Sequence, residues 1–91
     1  MNRPSPEVRK TLRAQCAAAK AIRERFGLGS AVQYLVEEKL SAVLTASDRC
    51  PELAAELPAF TKEIARLFTQ GEIRDHLGRR RFPRIRSVLD L

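Results

Sequence analysis

Tryptophan is absent and histidine occurs once, as His76. Aromatic residues are few: Phe26, Tyr34, Phe60, Phe68 and Phe82. With so little aromatic surface, a core has to be built from Leu, Ile, Val and Ala, a mixture that suits helix packing better than a sheet sandwich. The two cysteines, Cys16 and Cys50, have no Cys or His at ligand spacing. They read as small packing residues rather than as a disulfide framework, a redox pair or a zinc site. No run approaches the roughly 20 apolar residues needed to cross a bilayer. Met1 to Lys10 is polar and leads into no secretory h-region, so a cytoplasmic location with no membrane partner is expected.

Catalytic chemistry is equally thin. General acid–base or triad catalysis needs positioned titratable groups, and the lone His76, beside Asp75, reads as a surface residue. Ser5, Ser30, Ser41, Ser47 and Ser87 fall at expected caps and loops, none in a Gly-x-Ser-x-Gly elbow. Gly27-x-Gly29 lacks the third glycine and preceding strand of a dinucleotide loop, and no phosphate-loop lysine follows it. The expectation is a protein that is not an enzyme and holds no metal or cofactor.

What is present is helical patterning and positive charge. Ninety-one residues suffice for one domain. Hydrophobic residues make up 44% of the chain, too many for a disordered protein. The first helix is expected from Pro6, capped by Ser5, with Glu7 at the positive end of its dipole. Its apolar seam is Val8, Leu12, Cys16, Ala19, Ile22 and Phe26, and Gly27 terminates it. A second helix starts near Ser30, carries Val32, Leu35, Val36, Leu40, Val43 and Leu44 inward, and fades over Thr45 to Asp48. The link Gly27–Leu28–Gly29–Ser30 is short enough to make the two neighbours. A third helical stretch opens at Pro51. Pro58 is expected to break it and start a new helix, although the apolar phase Leu53, Leu57, Phe60, Ile64, Leu67 and Phe68 runs through. Gly71 reads as its C-terminal cap, and Glu72 to Leu77 as a short final helix ended by Gly78.

The fold class is therefore all-α, a small bundle of about four helices. A long N-terminal hairpin precedes the proline-broken helix and the short one. Residues 1–78 form the helical domain and 79–91 a basic C-terminal tail. The continuous seam of the first helix and the small size of the chain suggest a homodimer.

The net charge of +6 is uneven. Met1 to Gly27 carries +5, Leu28 to Gly78 −3, and Arg79 to Leu91 +4. Two basic ends flank an acidic middle, an arrangement that attracts phosphates, an acidic partner or the molecule's own acidic section. In the tail, Arg79, Arg80, Arg81, Arg84 and Arg86 surround Phe82, so guanidinium groups and one ring are available to phosphates and bases, or to carboxylates. Off the first seam, Arg9, Lys10, Arg13, Lys20, Arg23 and Arg25 form a second basic surface.

The stretch Ala21-Ile22-Arg23-Glu24-Arg25-Phe26-Gly27-Leu28-Gly29-Ser30-Ala31-Val32-Gln33-Tyr34-Leu35 resembles a helix-turn-helix. That resemblance implies that the second helix enters a major groove with Ser30, Ala31, Gln33 and Tyr34 foremost, Gln33 paired to adenine. A plain antiparallel helical hairpin accounts for the same letters. The functional expectation is a small bacterial-type nucleic-acid-binding or regulatory protein acting on DNA or RNA. The alternative is a protein-interaction module (adaptor, inhibitor or antitoxin-like factor) whose tail orders on an acidic partner through Phe82, Ile85, Val88, Leu89 and Leu91. Placement of the charges discriminates: basic ends converging on one face favour nucleic acid, whereas basic ends packed against the chain's own glutamates are used internally.

Overall fold

The structure is a computed structural model that describes residues 5–78 and 82–91. Among those residues all regular structure is helical, with no strand. Helix α1 spans Pro6–Phe26. Then come α2 (Leu28–Val32), a π-helical segment (Gln33–Leu40) and α3 (Ser41–Ser47), which follow one another without a break. Helices α4 (Pro51–Leu67), α5 (Gln70–Leu77) and α6 (Pro83–Val88) complete the chain.

Local chemistry sets the start and end of α1 as expected. The Ser5 hydroxyl accepts from the Val8 N–H, Pro6 occupies the first turn, and Gly27 closes the helix at a φ of 99°. That φ is in the region glycine tolerates and other residues avoid. The second helix starts earlier than Ser30, however. Leu28 is already helical, and the Ala31 N–H donates to the Gly27 carbonyl. The joint is one residue long. Residues at equal distance from it meet: Gln15 and Lys39, twelve residues before and after Gly27, line the same cleft as Val8 and Ala46, nineteen before and after. The two rods therefore run antiparallel. A helix-turn-helix crosses its helices steeply through a turn of about 3–4 residues, so the plain hairpin is the form adopted.

Helix α4 lies alongside α1 in parallel, since Arg9 reaches Glu56 while Arg23 reaches Leu67 and Glu72. Contrary to the expected break, α4 runs unbroken through Pro58. Pro58 is on the exposed side, where water can satisfy the carbonyl its ring leaves unpaired, while Phe60 and Ile64 are buried on the other side. The apolar phase outweighed the proline. The end of α4 is also displaced: it stops at Leu67, Phe68 is extended, and Gly71 lies inside α5 rather than capping α4. Helix α5 begins with a capping box, in which the Thr69 hydroxyl accepts from the Glu72 N–H and the Glu72 carboxylate from the Thr69 N–H.

The core joins all of these elements. Leu12 and Ala19 of α1 pack with Val32, Leu35, Val36 and Leu40, with Phe60 and Ile64, and with Ile73 and Leu77. The seam that suggested a homodimer is thus largely covered within one chain. Its last residue is the exception: Phe26, expected inside, is 69% exposed. The described part of the expected tail is folded onto the body. Pro83 opens α6, Ile85 is buried, and Phe82, Val88, Leu89 and Leu91 pack against the core.

Candidate binding face along α1

The basic residues singled out in the sequence divide into two groups. One group holds the fold together. Arg9 grips Glu56 with two parallel hydrogen bonds, Nε to Oε2 at 3.1 Å and Nη2 to Oε1 at 3.2 Å. The Arg9 side chain is 47% exposed while that of Glu56 is 2% exposed. Burying a carboxylate is costly unless it is paired and hydrogen-bonded, and the hydrogen bond to Glu56 raises the Arg9 pKa. Glu56 falls on the apolar phase of α4, between Leu53 and Phe60. An acid at such a position is a legible signal of a buried ion pair, although its partner is not.

Arg23 is also committed. Its Nη1 donates to the Leu67 carbonyl at 2.7 Å and its Nη2 to Glu72 at 3.2 Å, with the guanidinium over the Phe68 ring. It closes the end of α4, whose last carbonyls have no helical partner. The Glu72 carboxyl is held below its ordinary 4.5 by the Thr69 N–H first, with the Arg23 charge assisting. A carboxyl depressed in the folded state contributes stability above its ordinary pKa and loses it as pH falls through the depressed value. Compared with Glu72→Gln, the native chain is expected to be more stable at neutral pH, and the two thermal stabilities to converge in acid. A constant gap across pH 2–7 would show that the carboxylate charge does not support the cap.

Arg84 binds Asp48 at 2.6 and 3.0 Å, tying α6 to the end of α3 and lowering the Asp48 pKa through that hydrogen bond. His76, read as a surface residue, is half-buried, with Nε2 3.1 Å from the Glu37 carboxylate of the π segment. These contacts are the internal use of charge that the sequence left open. Arg9, Arg23 and Arg84 are removed from any simple count of offered cations.

The second group stays free. Lys10, Arg13 and Lys20 are exposed and form no ion pair among the described residues. Three adjoining hollows, of about 250, 310 and 430 Å³, run beside α1 from Pro6 to Lys20, and Arg13 lines all three. The carboxylates bordering them are Glu56 and Glu63, the first held by Arg9 and the second by Arg66 at 3.1 Å. The α1 side of this groove therefore presents uncompensated positive charge. Cys16, in its floor, is buried, and burial pushes its thiol up to about 11, with Glu63 adding to the shift. At neutral pH burial keeps it protonated, as suits a packing thiol. Among the described residues no three His, Cys, Asp or Glu side chains are grouped to hold a metal ion.

Arg25 lies apart at the end of α1, its guanidinium 5.5 Å from the centre of the Phe26 ring. Gln33 is exposed at the start of the π segment, on the second rod and away from the α1 groove. Phe82 packs against the core rather than standing free among arginines. Arg79, Arg80 and Arg81 lie outside the described residues.

The architecture defines the class: an all-α protein in which an antiparallel hairpin is buttressed by a parallel third helix and two short ones. Among its described residues no helix is long and apolar enough to cross a membrane. No family model, no curated protein and no solved structure matches the chain.

Proposed function

We propose that this chain is a small, non-catalytic regulatory protein of the cytoplasm that binds nucleic acid by gripping the phosphate backbone along α1. One observation carries this reading: Lys10, Arg13 and Lys20 stand exposed beside one groove of an uninterrupted helix, and both carboxylates of that groove are already engaged. Ten residues of helix rise about 15 Å. At about 3.4 Å per phosphate along one strand, that length spans roughly four phosphates. The reading assigns these cations to phosphates, contacts that fix position and carry no sequence information directly.

The expected salt dependence follows. Three cations give a log–log slope of about −2.7 on duplex DNA, and Arg79, Arg80 and Arg81 deepen it to about −5.4 if all three engage. Binding of a fluorescent DNA or RNA oligonucleotide, followed from about 50 to 200 mM salt, measures it. The combined variant Lys10→Gln, Arg13→Gln and Lys20→Gln is expected to make the slope shallower by about 2.7. Absence of binding at the low-salt end, or an unchanged slope in that variant, overturns the proposal.

A second reading, an acidic protein partner, is favoured by Phe26. Phe26 is an exposed aromatic with the Arg25 guanidinium over its face, and aromatic residues and arginine are both enriched at protein interfaces. The apolar anchors of the C-terminal segment no longer support that reading, because they pack on the chain's own core. Loss of a protein partner in Phe26→Ala, in a chain that never binds nucleic acid, selects it.

A further inference from the structure

On its other flank, α1 and the antiparallel rod leave an open cleft of about 500 Å³. That size is within the range of about 300–1,000 Å³ typical of small-molecule sites. Its walls are Val8, Leu12, Val43 and Leu53, and the exposed Ala42 and Ala46 form a lip with no bulky side chain to fill it. The polar groups are few: Thr11 lies midway, its hydroxyl donating to the Glu7 carbonyl, and the others stand towards the two ends.

At one end stand Lys39 and Gln15. The Lys39 ammonium lies 5.3 Å from the centre of the Tyr34 ring and pairs with no carboxylate among the described residues. The Gln15 Oε1 is shielded from solvent, and no described residue donates a hydrogen bond to it. A shielded acceptor left without a donor is a standing free-energy cost that a ligand donor relieves. At the far end are Glu7 and Cys50. Glu7 is eight residues from Gln15, about 12 Å along the helix, which exceeds the Debye length of about 8 Å at physiological salt. Lys39 is therefore the charged side chain that lines this end of the cleft.

We infer that this cleft binds a small amphipathic anion, a carboxylate or sulfonate with an N–H or O–H donor next to its charged group. The charge sits at Lys39, the donor bonds Gln15 Oε1 once the amide turns from its shielded position toward the cleft, and the apolar body lies on Leu12, Val43 and Leu53. The site is separate from the basic groove and does not rest on the nucleic-acid reading. Helix α1 is common to both, so an occupant of the cleft has a direct route to act as an effector of the groove.

The test uses the full chain and 1-anilinonaphthalene-8-sulfonate, an aromatic sulfonate with one N–H donor. Saturable one-to-one binding is expected, with enhanced, blue-shifted emission. Lys39→Glu is expected to weaken it at least tenfold and Gln15→Leu about fivefold. Ala46→Trp, at an exposed position where a ring fills the cleft without touching the core, is expected to abolish it. Far-ultraviolet circular dichroism confirms that each variant is folded. An independent readout is Cys50, in the cleft wall, which saturating probe should protect from iodoacetamide at least fivefold. Equal affinity in all three variants, or undiminished Cys50 alkylation with the probe bound, overturns the inference. Neither result bears on nucleic-acid binding, which the salt titration decides by itself.

Discussion

Ile85→Ala is expected to destabilise the protein by about 2–5 kcal/mol, the usual cost of truncating a buried isoleucine. For a chain of this size a loss near 2.5 kcal/mol lowers the melting temperature by roughly 10–20 °C. Ile85 is 2% exposed and belongs to the same core as Leu12 and Leu77. Helix α6 has six residues, too few to persist alone. It is held instead by Ile85, by the Arg84–Asp48 pair and by the Gln70 amide, which donates to the carbonyl of Asp90 at 3.1 Å. The ion pair is half-exposed and screened, so it cannot substitute for the lost apolar contact. Thermal or urea unfolding of the variant measures the effect, and a change below about 0.5 kcal/mol would mean that residues 82–91 behave as a solvated tail. The result matters for function as well. Deleting residues 79–91 to test the arginines would remove a core element, and any lost binding would be confounded with unfolding. Arg79→Gln, Arg80→Gln and Arg81→Gln leave Ile85 and the Arg84–Asp48 pair in place and are the cleaner probes of the charge.

Pro58→Ala is expected to act in the opposite direction, stabilising the protein by about 2 kcal/mol. In a helix interior, proline is about 3 kcal/mol less favourable than alanine. Part of that gain, about 0.4–1 kcal/mol, is returned because alanine leaves the unfolded chain freer. The position suits the substitution. Pro58 is exposed and inside a continuous helix, and an alanine N–H there could bond to the Ala54 carbonyl. Its own carbonyl already accepts from the Thr61 hydroxyl at 3.0 Å, a contact that does not depend on the ring. Equilibrium unfolding of the two chains makes the comparison. A variant no more stable than the native chain would show that the ring sets a bend in α4 needed to seat Phe60 and Ile64.

Which parts of this molecule are legible in the sequence follows from how local their causes are. Ser5, Pro6 and Gly27 act within one turn of themselves, and the limits of α1 are where they place them. The stripe Val32, Leu35, Val36, Leu40, Val43 and Leu44 is buried throughout, because apolar periodicity expresses the same burial that the tertiary fold completes. Pro58 and Gly71 misled for a related reason. Each has a strong local preference, and each was overruled by packing spread over a longer segment, the α4 stripe in one case and the Thr69–Glu72 cap in the other.

The π segment has no signature in the letters. It changes the hydrogen-bond register over Gln33–Leu40, and Glu37 within it meets His76 of α5. Such a change of register depends on what packs around a helix as well as on its own residues. Phe26 was placed inside by its phase, and the tertiary structure leaves it outside.

The amino-acid sequence by itself determined an all-α chain with a long N-terminal hairpin, an uneven positive charge and no evident catalytic constellation, because composition, caps and periodicity act over a few residues. Only the tertiary structure decided which charges are offered. Arg9, Arg23 and Arg84 find carboxylates 47, 49 and 36 residues away, while Lys10, Arg13 and Lys20 find none among the described residues. Whether an arginine binds a partner or its own fold depends on which carboxylate lies within about 4 Å, and that distance is set by how whole helices pack rather than by any spacing along the chain.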